Sequence, residues 1–186
     1  YNPGFKSSCD ESDWSACDIL DETLKTTKKA ADFFEILGNR VIAFPRNPLV
    51  PDFGLHTIIA DKTGDAFILE EGIGENTIYR SSQDFIVMTN FPNWNFKETS
   101  YDKISGCGAD RYICAHEYID NKIHSFGRDE AFEVLRKTAR DDTLCSIVFE
   151  PLKNEAYISF KIDLNKKWKI SISDKTIQSL DGFSNG

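Results

Sequence analysis

The order in which helix-like and strand-like patterns follow one another constrains the fold of this chain more than any other feature. Apolar residues at helical spacing come first, then apolar and β-branched runs, then helical spacing again and a closing group of strand-like runs. Strict alternation of strands and helices, which builds parallel sheets, is not seen. One predicted helix starts at Ser15, and the others cover 27–37, 110–126 and 129–139. The predicted strands cover 41–44, 55–60, 66–69, 77–80, 85–89, 144–150, 156–162 and 168–172. This order predicts an α+β fold with layered antiparallel sheets.

Local signals set the boundaries of several of these elements. Ser15 and Asp18 resemble a capping box, which predicts a helix start at Ser15. Residues 61–64, Asp-Lys-Thr-Gly, predict a hairpin turn, because Gly64 accepts the positive φ that such turns need. The three prolines within 45–54 predict a loop without regular structure.

Length, composition and charge limit the class of protein to which this chain can belong. Its 186 residues, 40% hydrophobic and 28% charged, are enough for one globular domain with a core. The formal net charge of −8 argues against a nucleic-acid partner, because phosphate binding needs a basic surface. No stretch approaches the roughly 18 consecutive apolar residues of a membrane span. We therefore expect a single domain, 1–186, with no nucleic acid and no membrane span.

The five cysteines are an odd number and lack the C-x-x-C spacing of a zinc or redox site. Cys17 and Cys114 fall on predicted helices and Cys145 on a predicted strand, where buried and inert free thiols are common. Cys9 and Cys107 lie in polar loops, where a surface disulfide and a free thiol both stay open. The sequence predicts no metal and no organic cofactor.

The segment 87–94, Val-Met-Thr-Asn-Phe-Pro-Asn-Trp, is the most unusual place in the sequence. A predicted strand ends at Asn90, and Pro92 follows shortly after. Asn90 is explained either as the start of an ordinary turn, since Asn side chains bond their own backbone, or as a rigidly held amide that donates to a developing oxyanion.

Three further candidates carry weaker signals. Arg111 begins a predicted helix, where the helix dipole disfavours a cation, so ion pairing with Asp110 or another surface carboxylate is one explanation. The histidines are far apart in sequence, and His116 is predicted to be a half-buried imidazole with satisfied hydrogen bonds. A Cys–His pair such as Cys114 with His56 stays open.

Three motifs, taken together and in order, resemble a known family. Residues 55–70 have the pattern of an aliphatic strand, Ala-Asp, a turn with Gly, and an aliphatic strand that ends in Glu. Residues 89–92 form a Thr-Asn-x-Pro element about 20 residues later, and Arg111 with Tyr112 gives an Arg-aromatic helix start. This order is similar to that of the cysteine-type N-terminal-nucleophile (Ntn) hydrolases of the choloylglycine hydrolase, penicillin V acylase and isopenicillin N acyltransferase group. The resemblance covers most of 15–173.

The resemblance implies a four-layer αββα sandwich of two antiparallel sheets and the cleavage of linear amide bonds. The nucleophile of the family is a cysteine exposed as the first residue of the mature chain, and its own α-amino group moves the proton. The resemblance implies that Asn90 donates its side-chain amide to the oxyanion and that Arg111 lies beside the nucleophile, where a cation favours the thiolate. Phe91 and Trp94 would bind the substrate in an apolar acyl pocket lined also by Phe85 and Phe96, with core packing as the alternative for these aromatic residues.

The chain departs from the family at its beginning. Residue 1 is Tyr, and Cys9 lacks the Cys-Thr start and the Arg and Asp that soon follow in the family. We therefore expect the C-terminal part of such an enzyme, without its nucleophile region and inactive alone toward amides. A non-catalytic binding or structural module that keeps the sandwich is the alternative. The expected partners are a small-molecule amide and either the missing N-terminal half, as a segment or subunit, or a second copy of the chain.

Overall fold

The computed structural model describes residues 14–15, 22–23, 25–37, 42–43, 56–71, 76–161 and 163–180. The chain divides into two compact units, Tyr1–Ala109 and Asp110–Gly186, and each is described by itself. The prediction of one domain over 1–186 stays a prediction. Residues 22–23 and 25–26 are helical. The other helices of the described residues are α1 (Asp32–Leu37), α2 (Ala109–Lys122) and α3 (Arg128–Thr138), with short 3-10 helices at Asn93–Phe96, Tyr101–Lys103, Ile123–Ser125 and Pro151–Lys153. The strands are β1 (Trp14–Ser15), β2 (Ile42–Ala43), β3 (His56–Ala60), β4 (Ala66–Glu71), β5 (Asn76–Tyr79), β6 (Cys145–Glu150), β7 (Glu155–Phe160), β8 (Trp168–Ser171) and β9 (Thr176–Ser179).

A tight hairpin organises the sheet of the first unit, in which β3, β4 and β5 pair antiparallel in that order. The backbone N–H of Asp61 donates to the carbonyl of Asp65 (3.0 Å), and that of Gly64 donates to the carbonyl of Asp61 (3.2 Å). Gly64 has a φ of 90°, which a residue with a Cβ adopts only at a cost. The predicted hairpin turn is confirmed.

The core of the first unit forms between α1 and one face of β4. Phe33 and Phe67 are fully buried and lie 5.6 Å apart between ring centroids. Ala30, Leu37 and Leu69 complete the buried cluster. Because buried apolar area is the main source of stability, this cluster fixes α1 on the sheet.

The helix predicted over 27–37 begins later than expected, at Asp32. The Asp32 carboxylate accepts hydrogen bonds from the backbone N–H groups of Lys28 (3.1 Å) and Lys29 (3.0 Å), and Asp61 accepts one from Ala30 (2.8 Å). These side-chain bonds hold 28–31 in a turn, since Asp competes with helical bonding. The pKa of Asp61 is lowered from 3.8 to about 2. The largest cause is the hydrogen bond from the hydroxyl of Thr63, and the next is the hydrogen bond from the N–H of Ala30.

Two other predictions for the first unit are wrong. Ser15 does not start a helix, because it lies in β1 and pairs in parallel with Ala43 of β2. Residues 16–21 lie outside the described part, and helical residues are seen further along, at 22–23 and 25–26. Residues 85–89 are not a strand. The carbonyls of Val87 and Thr89 are bonded to the side chains of Asn93 and His56, so this stretch pairs with side chains instead of a neighbouring strand. The strand predicted over 41–44 is confirmed at Ile42–Ala43.

The second unit contains α3 and a four-stranded antiparallel sheet, β6-β7-β8-β9. Phe132 of α3, Tyr157 of β7 and Leu164 are each 2% exposed and form its core. Glu130 accepts a hydrogen bond from the N–H of Gly127 (3.1 Å), which fixes the start of α3. The fourth strand, β9, was not predicted. Its residues are all exposed, so it lacks the alternation of buried and exposed positions by which a sequence predicts a strand.

One face of this sheet is apolar and solvent-exposed. The exposed side chains with relative areas of 40–72% are Ile147, Phe149, Phe160 and Ile177. The prediction that Cys145 is buried is wrong. Side chains alternate between the two faces along β6, and Cys145 lies on the exposed face. Cys107, exposed, and Cys114, half-buried, are also free thiols, whereas Cys9 and Cys17 lie outside the described residues. Within the described part of the chain, no helix has the length and hydrophobicity to cross a bilayer.

Candidate functional site

A buried carboxylate on β4 is the centre of a group of bonded polar side chains in the first unit. Glu70 is 2% exposed. Its Oε1 accepts a hydrogen bond from the backbone N–H of Asn93 (2.5 Å), and its Oε2 accepts one from the N–H of Trp94 (2.8 Å). These groups open the 3-10 helix Asn93–Phe96, where the first N–H donors have no partner within the helix. The bonds replace the water that a buried carboxylate otherwise needs.

His56 faces Glu70 directly across the β3–β4 pair. Its Nε2 lies 2.5 Å from the carbonyl oxygen of Thr89, and its Nδ1 lies 3.7 Å from Oε1 of Glu70. A carbonyl oxygen only accepts hydrogen bonds, so the assigned proton position is Nε2. The imidazole therefore lies between the buried carboxylate and the backbone of Thr89.

Two further hydrogen bonds hold the stretch 87–94, which we name the anchored segment. The hydroxyl of Thr89 donates to the carbonyl of Gly108 (3.1 Å). The side-chain amide of Asn93, which is 3% exposed, donates to the carbonyl of Val87 (2.8 Å) and so bridges the segment internally. The anchored segment is therefore fixed near both of its ends by side chains.

The structure places Asn90 on the anchored segment, next to Thr89 and three residues before Asn93. Its side chain is exposed, and its backbone lies in a bend. The backbone that carries this carboxamide is bonded to side chains on both sides. This is the arrangement that a hydrogen-bond donor to a bound substrate requires. The role of Asn90 as an oxyanion donor stays a prediction.

The two aromatic residues predicted to contact substrate occupy different environments. Phe91 is 6% exposed and packs against Phe96, with ring centroids 5.1 Å apart and planes at 76°. Trp94 is 39% exposed, and the Nζ of Lys97 lies 3.8 Å from its ring centroid. Phe91 is therefore a core residue that supports the segment, while Trp94 presents an amphipathic surface beside a cation.

Arg111 lies in the second unit, in the first turn of α2, and its side chain is half-buried. The hydrogen bond and charge of Arg140 lower the pKa of Asp142, and the charge of Arg111 contributes to the same shift. The guanidinium of Arg111 therefore helps to stabilise the charged form of Asp142 within the second unit. Its predicted place beside a nucleophile stays a prediction.

The remaining ionisable candidates are structural in character. His116 on α2 is 6% exposed rather than half-buried, and burial lowers its pKa from 6.5 against the opposing charges of Asp120 and Glu117. Its ring lies 6.0 Å from that of Tyr112. Among the described residues, no cluster of three or more His, Cys, Asp or Glu side chains could hold a metal ion.

Sequence reasoning named His56 only as one member of an open Cys–His pair, and it gave no role to Glu70 or Asn93. A signal for the first two was present, because the hairpin register can be counted outward from the turn and puts His56 opposite Glu70. A polar pair facing each other inside an apolar hairpin indicates a specific partner for both side chains. Asn93 gives no such signal, since its partner Val87 lies in a stretch without regular structure.

Comparisons with known proteins agree with this architecture. A sequence model described as linear amide C–N hydrolases, choloylglycine hydrolase family, matches residues 15–132. Comparison with curated proteins gives no match. The chain is similar in structure to a single-residue variant of conjugated bile acid hydrolase from Clostridium perfringens, with a TM-score of 0.51 and 13% identity over 95% of this chain and 65% of that one.

These matches decide the fold and the family. At 13% identity the structural likeness speaks for the fold, and it confirms the predicted α+β class with antiparallel sheets of the αββα type. The chain spans 65% of the length of this relative. The match over 15–132 covers more than half of the 186 residues. This chain therefore belongs to the choloylglycine hydrolase family of linear amide C–N hydrolases.

Proposed function

We propose that this chain supplies the oxyanion-stabilising part of a cysteine-dependent hydrolase of linear amides, with Asn90 as the donor. The observation that carries the proposal is an exposed carboxamide on a segment whose backbone is bonded at Thr89 on one side and at Asn93 and Trp94 on the other. Donors fixed before the reaction stabilise developing charge without the cost of reorganisation. Family membership supplies the reaction class.

The proposed reaction has two stages. A cysteine thiolate attacks the amide carbonyl, the C–S bond forms, and the carbonyl electron pair moves to oxygen, where the amide of Asn90 donates to it. The intermediate collapses, the C–N bond breaks, and the leaving nitrogen takes a proton from the α-ammonium of the same cysteine, a group that titrates near about 7.7–8.0. Water then cleaves the thioester and releases the acid; an amine acceptor in its place would give acyl transfer.

We propose that the nucleophile comes from polypeptide outside the 186 residues, as an upstream segment or a separate subunit released by processing. None of the five cysteines is followed by Thr, the pattern that the family resemblance requires at the mature N-terminus. Arg111 is proposed to favour the thiolate of that cysteine, on the basis of its place in the order of the family motifs. The substrate would be a small acyl amide, with Trp94 against its apolar part.

We further propose that a partner covers the apolar face of the β6–β9 sheet, either the nucleophile-bearing polypeptide or a second copy of the chain. Phe149 and Ile177, 63% and 72% exposed, support this, because a contiguous exposed apolar patch on a soluble protein usually marks an interface. Sedimentation of the chain alone and with its upstream segment tests it. A chain that stays monomeric in both cases would contradict the proposal.

The experiment combines the chain with the polypeptide encoded upstream and measures turnover on a panel of linear amides that includes bile-salt conjugates, phenoxyacyl penicillins and acyl-amino acids. Asn90→Ala is expected to lower kcat by about 10²–10³-fold, the usual cost of one oxyanion donor. Asn95→Ala is the matched control, since Asn95 is exposed and lies in the following 3-10 helix. Unchanged turnover of Asn90→Ala on every amide that the wild type cleaves would reject the role. A combined protein with no activity on any amide would favour a non-catalytic module.

A further inference from the structure

We propose that Glu70 and His56 are positioning residues that hold Asn90 in place, and that the two together act as a carboxylate–imidazole clamp on the anchored segment. The inference rests on the proposed function of Asn90 and identifies the groups on which that function depends. Neither residue needs to touch the substrate. Both act through the backbone that carries Asn90, by bonds made on each side of it.

The carboxylate of Glu70 holds the C-terminal side of Asn90. Its two oxygens accept the consecutive N–H groups of Asn93 and Trp94, so the start of the 3-10 helix is fixed at two points. Burial strengthens both bonds, because little water competes for the donors. A neutral amide of the same shape would present a donor to one of these N–H groups, and that N–H would lose its acceptor. Glu70→Gln therefore removes one of the two hydrogen bonds to the start of the 3-10 helix without creating a cavity.

The imidazole of His56 holds the N-terminal side of Asn90. Its Nε2–H donates to the carbonyl of Thr89, and that carbonyl belongs to the same planar peptide group as the N–H of Asn90. Fixing the oxygen therefore fixes the plane that leads into Asn90. Nδ1 lies 3.7 Å from Oε1 of Glu70, so the imidazole and the carboxylate are neighbours that hold the two sides of Asn90 separately.

The residues between the bonds at Thr89 and at Asn93 have little conformational freedom. Only Asn90, Phe91 and Pro92 separate Thr89 from Asn93, and the φ of Pro92 is held near −66°. Phe91 is buried against Phe96. The carboxamide of Asn90 is thus the exposed group of a short backbone stretch fixed at both ends. Displacement of such a donor by about 1 Å is enough to cost about 10²-fold in rate.

A role in stability alone would also explain these buried hydrogen bonds, so the test must separate stability from positioning. The matched control is Asp61→Asn, because Asp61 is also a carboxylate that accepts backbone N–H bonds in the first unit, but its partners are Ala30 and Thr63. His56→Gln keeps an amide donor for Thr89, whereas His56→Phe keeps only the ring shape. If the clamp acts through Asn90, its variants should have no further effect once Asn90 is replaced.

The experiment has two measurements. Hydrogen exchange on the 186-residue chain follows the amides of 89–94 in Glu70→Gln, His56→Phe and Asp61→Asn. Steady-state kinetics on the chain combined with its nucleophile-bearing polypeptide follows kcat and KM for the same variants, alone and with Asn90→Ala. We expect the two clamp variants to accelerate exchange within 89–94 and to lower kcat by about 10²-fold with little change in KM, since a misplaced donor affects mainly the transition state. His56→Gln should keep more of the wild-type kcat than His56→Phe, and Asp61→Asn should leave kcat unchanged.

The outcomes separate the clamp from the proposed function. The clamp is supported if Glu70→Gln loses its effect on kcat in the Asn90→Ala background. It is overturned if Glu70→Gln and Asn90→Ala are additive, if Glu70→Gln only lowers stability as Asp61→Asn does, or if exchange within 89–94 is unaltered. If Asn90→Ala itself leaves kcat unchanged, the proposed function fails, and with it the catalytic purpose of the clamp. If Asn90→Ala is inactive but both clamp variants are fully active, the clamp alone is rejected.

Discussion

Replacement of Asn93 by Asp is the sharpest test of how the anchored segment is built. The two side chains have nearly the same shape, but the donor that now serves the carbonyl of Val87 becomes an acceptor. The variant also puts a carboxylate on a residue that is 3% exposed and whose backbone N–H is bonded to Oε1 of Glu70. Shape stays constant, so charge and hydrogen bonding alone are varied.

The size of the effect follows from these contacts. Loss of the bond to Val87 leaves a buried carbonyl unsatisfied, at a cost of about 1–3 kcal/mol, which is also what we expect for Asn93→Ala. A buried carboxylate without a cationic partner raises the cost for Asn93→Asp to about 3–5 kcal/mol at neutral pH. For a chain of this length, each kcal/mol corresponds to a fall of about 2–4 °C in Tm.

The assay is denaturant unfolding as a function of pH, with Asn95→Asp as the control, since Asn95 is exposed two residues further along the same 3-10 helix. Burial and the neighbouring Glu70 carboxylate should raise the pKa of the new carboxyl in the folded state above its unfolded value. The folded state then binds the proton more tightly, so the free energy of unfolding of Asn93→Asp should recover toward wild type as the pH falls. Equal effects of Asn93→Asp and Asn95→Asp, or a deficit that does not shrink in acid, would refute the reasoning.

Three further predictions follow from individual side chains. The pKa of Asp61 is lowered from 3.8 to about 2, so its stabilising contribution is complete above its unfolded pKa and is lost as the pH falls toward about 2; Asp61→Asn should flatten the acid limb of the stability curve measured by urea unfolding. Burial lowers the pKa of His116, so the unfolded state binds its proton first and stability should decrease as the pH falls below 6.5; His116→Gln should reduce that slope, and an unchanged slope would contradict it. Phe67 is fully buried between Phe33 and Phe34, so its replacement by Ala should lower the free energy of unfolding, measured by chemical denaturation, by about 3–5 kcal/mol. Replacement by Leu should lower it clearly less.

Where the determinants are local, the sequence was enough to predict the structure. The hairpin formed by β3 and β4 depends on residues 61–64 and on the run of β-branched and aliphatic residues on each side, all within a short stretch. The start of α3 near Asp129 likewise follows from a charged first turn and from Glu130, whose side chain closes the cap on Gly127. In both cases the groups that satisfy the backbone lie within four residues of it.

Where the determinants are distant, sequence reasoning failed in a consistent way. Residues 85–89 have the composition of a strand, but the carbonyl of Thr89 is bonded to His56, 33 positions earlier in the chain. Similarly, the distant part of what delays α1 until Asp32 is the bond from the N–H of Ala30 to Asp61, 31 positions later. Propensity cannot anticipate a side chain that arrives from a separate element and takes over a backbone group.

The same contrast explains how much of the candidate site was foreseen. The sequence singled out Asn90 because an Asn beside a Pro at the end of an apolar run is unusual, but it gave no account of what holds that Asn still. The answer lies in the element that the sequence predicted best. The antiparallel pairing of β3 with β4 puts His56 opposite Glu70, and these two side chains bond the backbone on both sides of Asn90. A slip of one strand by one residue would put the two side chains on opposite faces of the sheet and release one side of the segment. The register of this hairpin therefore determines the placement of a carboxamide that lies about 20 residues beyond β4.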